Sequence, residues 1–245
     1  MEDYISRMDT ERFGFKVARV DEFNGFPGGL MDHLKHQGVR MVISRVNSKD
    51  IQTINTLEEL GFQVKDIGLM YGAPMEKLDF SSFLVSPEIS IREVADRDIS
   101  EVACVSEESF RDYYGHYFAD RRLDRDKCLE IYVDWARRSC KDKKAADTVF
   151  VAETDSTVIG FLGFMACERD DRKYLGSTVG GVLPEFRHLG AFQAILQAGH
   201  DWARKQGIDY VQYQVLLTNT PINRLLAKVG FRIVDSYVTL HGWFD

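Results

Sequence analysis

Apolar residues recur along this chain in two periods, and the changes of period mark its elements. Ile51, Ile54, Leu57 and Leu60 return every three residues, the spacing of one helix face. Met41-Val42-Ile43, just before them, form a short apolar run that reads as a strand. Ser48 is placed to cap the helix, and Gly61 suits the left-handed position that ends it. Further on, Ile89 to Val94 alternate as a strand, and a helix follows from about Asp98 to Phe110. Asp124 caps a helix to about Ser139 with Cys128, Tyr132, Trp135 and Ala136 on one face. Val149–Ala152 and Val158–Met165 flank Asp155-Ser156 and predict a hairpin. A strand ends at Val182-Leu183, where Pro184 stops it. The next helix runs from Gly190 to about Gln206, with Phe192, Ile195, Leu196, Gly199, Trp202 and Ala203 on one face, and Gly207 ends it. A strand at 210–216, a helix at 220–229 and strands through 231–243 complete the series. From residue 88 the order is β-α-α-β-β-β-α-β-α-β-β, an α/β (α+β) pattern.

Two stretches of the chain align without a gap. Gly38 to Phe62 reads GVRMVISRVNSKDIQTINTLEELGF and Gly207 to Phe231 reads GIDYVQYQVLLTNTPINRLLAKVGF. Gly38/Gly207, Val42/Val211, Val46/Val215, Leu57/Leu226, Gly61/Gly230, Phe62/Phe231 and Asp66/Asp235 are identical pairs. Each copy reads strand, turn, helix, Gly-Phe, strand. We therefore expect a truncated N-terminal copy at 1–80, a linker at 81–87 within the weakly periodic stretch 72–87, and a complete domain at 88–245. Nothing between Met1 and Gly38 matches the segment 182–192, so one cofactor turn is expected.

Composition narrows the chemistry. The chain has 245 residues, 44% hydrophobic and 28% charged, enough apolar material for a core. No apolar run approaches the roughly 20 residues of a membrane span. The opening Met1-Glu2-Asp3-Tyr4 is acidic and lacks the layout of a secretory signal. Cys104, Cys128, Cys140 and Cys167 are scattered, which favours reduced thiols in the cytoplasm over a disulfide or zinc framework. The net charge of −7 disfavours nucleic acid as a partner but not a small anion held by backbone N–H groups. No metal site and no membrane partner are expected.

The segment Val182-Leu183-Pro184-Glu185-Phe186-Arg187-His188-Leu189-Gly190-Ala191-Phe192-Gln193 is a strand, a short turn and a helix N-terminus. Successive N–H groups there form a concave anion site that a pyrophosphate fits, although an ordinary strand–helix connection has the same outline. With Arg187 first and Gly190 fourth, the segment resembles the cofactor motif Q/R-x-x-G-x-G/A of the GNAT acetyltransferase superfamily. Phe192 departs from the last position, which requires its ring to turn into the helix–sheet interface. Asn219, eleven residues before Gly230-Phe231, looks like the asparagine of the superfamily's N-x(10)-G-F segment. The resemblance implies a mixed, mostly antiparallel sheet flanked by helices, acetyl-CoA as co-substrate, and contacts from Val182, Leu183, Arg187, His188, Leu189, Gly190, Ala191, Phe192, Asn219 and Asn223. Within the superfamily the whole chain resembles the dTDP-fucosamine acetyltransferase group, through Glu11-Arg12-Phe13-Gly14-Phe15, the region Phe110 to Trp135 and the ending Ser236 to His241.

That resemblance implies direct acetyl transfer to a primary amine, in first place an amino sugar on a nucleotide. Another small amine or amino acid as acceptor, or a non-catalytic acyl-CoA-binding module, are the alternatives. The N–H of Val182 is the expected oxyanion donor. The superfamily's usual tyrosine acid falls on Leu226, which cannot donate a proton; Asn223, one turn earlier, either bonds the sulfur or the pantetheine or is a solvated or helix-capping asparagine. Arg111, Tyr114, His116 and Tyr117 belong to a polar-aromatic loop suited to a sugar or nucleotide, or equally to packing on the core. Glu168 and His241 are candidate proton acceptors. A small-molecule amine is the expected partner, and a homodimer is compatible with these readings.

Overall fold

The computed structural model describes residues 4–23, 27–169 and 172–244. The acidic opening Met1 to Asp3 lies outside the described residues. The N-terminal part forms α1 (Arg7–Phe13), β1 (Val17–Arg19), α2 (Pro27–His36), β2 (Met41–Asn47), α3 (Ile51–Glu59) and β3 (Gln63–Pro74). The segment 75–89 leads to β4 (Ser90–Glu93), α4 (Ile99–Phe110), α5 (His116–Ala119) and α6 (Arg125–Ser139). Then come β5 (Thr148–Thr154), β6 (Thr157–Arg169), β7 (Arg172–Val182), α7 (Ala191–Lys205), β8 (Tyr210–Leu216), α8 (Thr220–Val229) and β9 (Arg232–Trp243).

Local chemistry accounts for most of these bounds. Asp124 caps α6 by accepting from the N–H groups of Asp126 and Lys127. Asp155 and Ser156 take positive φ, 47° and 62°, as a two-residue hairpin turn requires. Three expectations are corrected. The cap of α3 is Asp50, which accepts from Thr53 N–H, while Ser48 instead pairs its Oγ with Ser236 Oγ at 2.5 Å. Only Ile54 and Leu57 of the α3 stripe are buried, because a spacing of three falls about 60° short of a full turn at each step and carries Ile51 and Leu60 off the face. The expected separate strands of 231–243 are one strand with a bulge.

The nine strands among the described residues join one sheet in the order β1-β2-β9-β3-β8-β7-β6-β5-β4. Helices α1, α4, α5 and α6 cover one face, around Val105, Phe110, Tyr117 and Phe161. The other face carries α7 and α8 over Phe164, Leu175 and Val211, and α2 and α3 over Val42, Val46 and Leu240.

The N-terminal strands are interleaved with the C-terminal ones: β9 lies between β2 and β3, and β3 lies between β9 and β8. The register has an internal symmetry. The offset that takes Gly38 to Gly207 converts the pair Val42–Gly242 into Ala73–Val211, and Val46–Val238 into Leu69–Val215. It also maps the β3–β9 ladder onto itself, with Gln63–His241 becoming Gly72–Arg232. The two bulges, at Lys65 of β3 and Val234 of β9, are exchanged by the same offset. The pair Gly68–Tyr237 sits on the axis. One member is glycine and the other tyrosine, and the ring fills the space: a Cβ on Gly68 would lie 1.8 Å from Tyr237 Cζ.

Candidate acyl-CoA site and acceptor loop

Parallel strands β7 and β8 touch at a single registered pair, Leu175–Val211, and separate beyond it. The gap opens toward Val182 on one side and Leu216 on the other. A two-for-one bulge at Thr178-Val179 bends β7 where it faces Gly163 of β6. Past the bulge, Leu183 N–H bonds Ile159 O at 2.9 Å, so Leu183 and Ile159 form a hydrogen-bonded pair. Antiparallel ladders alternate, so the N–H groups of Val182 and Gly180 point away from β6, toward the gap. The carbonyl of Val182 is held by Arg187 Nε (3.1 Å) and Ser109 Oγ (3.4 Å).

The turn after β7 is a 3₁₀ segment, Pro184–Leu189, ended by Gly190 in the left-handed conformation (φ 79°). The first bond of α7 is Ala194 N–H to Gly190 O, 3.0 Å, so the N–H groups of Ala191, Phe192 and Gln193 have no backbone partner among the described residues. These donors, with the exposed Arg187 and His188, make a polar rim at a helix N-terminus. Phe192 turns its ring into the helix–sheet core, so the unusual residue leaves the donors open. Leu183 also packs on the core, and Leu189 O accepts from Ser86 N–H at 3.0 Å. This brings the linker against the turn. A Cβ on Gly190 would lie 2.2 Å from Leu84 O. The glycine is thus required by the linker and by its own φ.

Asn219 caps α8, accepting from Ile222 N–H (3.4 Å). Asn223 donates both Nδ2 hydrogens, to Leu216 O (3.1 Å) and Leu217 O (3.0 Å). The flipped amide would set oxygen against two carbonyls, so the network fixes its orientation. Its donors are therefore spent on the end of β8 and cannot meet a thiolate; the expected role as donor to sulfur is corrected. Its buried Oδ1 finds no partner among the described residues and remains an acceptor. Leu226 is 1% exposed and packs in the core.

The loop singled out as an acceptor region divides in two. Arg111 is exposed and paired with Glu108 and Glu107, and Tyr114 is 75% exposed. His116 and Tyr117 are buried. Tyr117 donates to Asp9 (2.6 Å), which also binds Arg19 (2.7 Å), so α5 is tied to α1 and β1. His116 Nδ1 lies 2.9 Å from His241 Nε2, and His241 Nδ1 lies 2.8 Å from Asp120 Oδ2, which accepts from Trp243 Nε1 as well. Burial opposes the Asp120 charge, but the His241 and Trp243 bonds and the Arg122 N–H overcome it and hold the carboxyl well below its usual range. Burial drives His116 far below the ordinary histidine value, helped by neighbouring His241, Arg19 and Arg45. Burial also lowers His241, against the pull of Asp120. Burial thus favours the neutral form of both imidazoles, and this series of bonds ties the loop to β9. Glu168 is exposed near the end of β6.

Sequence reasoning missed Arg45, Thr239 and, as a site residue, Asp66. The register aligns them: Arg45 of β2 and Asp66 of β3 both pair with Thr239 of β9, from opposite sides. The bulge at Lys65 turns two consecutive side chains to the loop, Lys65 toward Asp120 (3.7 Å) and Asp66 to the His116 N–H (2.8 Å). Polar residues at inward positions of otherwise apolar strands were the available signal.

The fold neighbours agree with this architecture. A GCN5-related N-acetyltransferase from Sphaerobacter thermophilus superposes with a TM-score of 0.62 at 16% identity, over 95% of this chain and 74% of its own. A tandem GNAT protein from the clavulanic acid biosynthesis pathway gives 0.66 at 14% identity, over 93% of this chain and 75% of its own. A conserved protein of unknown function from Staphylococcus epidermidis gives 0.62 at 15% identity, over 100% and 93%. At such identities the likeness speaks for the fold alone. No curated protein matches the chain at a significant level. Among the described residues no helix is long and apolar enough to cross a membrane. The model of the acetyltransferase (GNAT) family matches residues 106–231, from within α4 through the split strands and the turn to Phe231, more than half of the sequence, and the chain belongs to that family of acetyl-transferring enzymes.

Proposed function

We propose that this chain transfers the acetyl group of acetyl-CoA directly to the primary amine of a small polar acceptor, with the thioester in the gap between β7 and β8. The observation that carries this reading is the divergence of two parallel strands after one registered pair, beside N–H groups that have no ladder partner. The pyrophosphate would rest on the N–H groups at 191–193 and on Arg187, and the pantetheine arm would run along β7 with Asn223 Oδ1 accepting an amide N–H. The neutral amine attacks the carbonyl, and the developing oxyanion meets the Val182 N–H. The C–S bond then breaks with its electron pair going to sulfur, the nitrogen proton passes to solvent water, and CoA leaves as a thiolate. A thiol pKa near roughly 8.5 makes this a fair leaving group without a tyrosine acid. A nucleotide-linked amino sugar is the first acceptor to try, since the exposed Tyr114 offers a stacking surface; cytoplasmic residence fits the four free cysteines. We also read 1–80 as a truncated copy of the fold, joined by 81–87 to the domain 88–245; the shared register offset supports this.

The test is release of free CoA thiol from acetyl-CoA with a panel of amines, alongside calorimetry. Acetyl-CoA should bind, and Arg187→Ala should weaken binding roughly ten-fold, the worth of one charge-assisted contact. Absence of both binding and thiol release would sink the proposal.

A further inference from the structure

We propose that the row Arg45–Thr239–Asp66 is an acceptor-recognition site for a group that combines an anion with a neighbouring hydrogen-bond donor. The inference takes its reaction from the function proposed above, but its binding chemistry stands on the row itself. Arg45 Nε, Thr239 Oγ1 and Asp66 Oδ1 are each buried, and none finds a hydrogen-bond partner among the described residues. Buried polar groups are normally paired. Here three that are not fall on one row of three adjacent strands, in register and on one face. Thr239 is fully buried between the other two. Strand spacing sets the Cα atoms of Arg45 and Asp66 about 10 Å apart.

The surroundings hold the row in place. The Arg45 guanidinium lies 4.9 Å from the Tyr237 ring centroid, and that ring occupies the space left by Gly68. On the other side, Asp66 Oδ2 is taken by the His116 N–H, which fixes the carboxylate and leaves Oδ1 free. The pseudo-symmetric row is a control within the same molecule. The repeat offset turns Arg45, Thr239 and Asp66 into Gln214, Met70 and Asp235. There Asp235 accepts from Asn47 Nδ2 at 2.9 and 2.8 Å and from Ser236 N–H, and Met70 brings no strongly polar atom. Asp235 is thus paired within the protein, whereas Asp66 Oδ1 in the row at Thr239 has no partner among the described residues.

The ligand chemistry follows from the three atoms. A guanidinium wants an anionic oxygen, a fixed carboxylate oxygen wants an N–H or O–H, and the threonine hydroxyl between them serves either. A sugar phosphate supplies this combination through its phosphate and a ring hydroxyl. An amino-acid head group supplies it through its carboxylate and ammonium. A plain amine supplies only half and leaves Arg45 unpaired, which is how a polar site rejects an incomplete ligand. Arg45 and Asp66 come from the N-terminal unit, so that unit would select the acceptor for a cofactor site located in the other.

The experiment compares acceptors matched except for the anion: glucosamine 6-phosphate with glucosamine, lysine with cadaverine, and a dTDP-linked amino sugar with the free amino sugar. The wild-type enzyme should prefer the anionic member of one pair, and which pair shows it separates phosphate from carboxylate. Arg45→Gln should raise KM for that member roughly 10- to 100-fold, leave KM for acetyl-CoA and the neutral member unchanged, and so erase the preference. Asp66→Asn, which keeps an acceptor for the His116 N–H, should also raise acceptor KM. A general structural defect would shift both members together and overturn the assignment. So would thiol release by an enzyme that shows no anion preference. If no amine releases thiol, the transferase reading fails on its own, and thermal shift with the same compounds decides the row. Stabilisation by an anionic member that Arg45→Gln abolishes supports it, and no stabilisation by any of them overturns it.

Discussion

Single residues set the pH dependence of this molecule. His200 is fully buried on α7, its ring against Phe80, Tyr213 and Phe231, with Nδ1 2.6 Å from Leu196 O. Burial pushes its pKa down to about 4. The unfolded chain binds this proton first, near pH 6.5, so the stability of the neutral ring is complete above about pH 6.5. It is lost at about 1.4 kcal/mol per pH unit as the pH falls toward 4. His116 and His241, also held low by burial, act in the same direction. Thermal unfolding from pH 7.5 to pH 5 should therefore show a falling Tm. His200→Phe should flatten part of that fall, because a phenyl ring suits the same aromatic cluster and takes no proton. An equal slope in both proteins would remove His200 from the account. At the site, Asn223→Ala should chiefly weaken acetyl-CoA binding and loosen the end of β8, since its donors hold two backbone carbonyls; a loss confined to kcat would contradict that geometry. Leu226→Tyr should cost about 1–3 kcal/mol by overpacking a closed core, read as a lower Tm.

At the scale of elements, the paired bulges and the Gly68–Tyr237 contact control how β3 and β9 meet. Gly68→Ala would push a methyl into a ring that is 8% exposed and has little room to move. A loss of about 1–3 kcal/mol is expected, and Tyr237→Leu in the same chain should recover much of it. Additive losses in the double variant would mean that the two residues do not share the space. The sequence made several elements plain because their signals are local. Asp124 before a helical stripe, Asp155-Ser156 between apolar runs, and Pro184 after a strand act within a few residues of themselves. Strand β8 and helix α8 fall where the periodicity set them. The strand, turn and helix start at 182–193 were legible for the same reason. What the sequence did not disclose is carried by partners far apart in the chain. Nothing near Gly190 indicates that Leu84 lies over it, and nothing near Asp66 indicates that Thr239 and Arg45 stand beside it. Helices α1 and α2 and strand β1 were also unread, since they are short and owe their burial to neighbours rather than to a strong pattern of their own.

For the whole molecule, interleaving couples two units that the sequence separates. Strand β9 has β2 on one side and β3 on the other, and β8 has β3 as its long antiparallel neighbour. Removing residues 1–80 would therefore take both partners from β9 and one from β8, leaving open edges that promote self-association. It would also uncover Leu240 and the tyrosine at 237, which now meet the N-terminal strands. A fragment of 88–245 should thus be aggregated or poorly folded, although it contains the whole gap between β7 and β8. Cutting the chain at an engineered protease site in 81–87 is a gentler change, because it breaks one covalent link and leaves every ladder intact. The nicked protein should elute as one species, keep a single cooperative melt and retain acetyl-CoA binding, provided the cut lies clear of Leu84 and Ser86 at the turn. Denaturing electrophoresis would then show two pieces where gel filtration shows one. If the pieces separate in native buffer and the 88–245 piece remains folded and monomeric, the interleaved sheet does not hold the two units together.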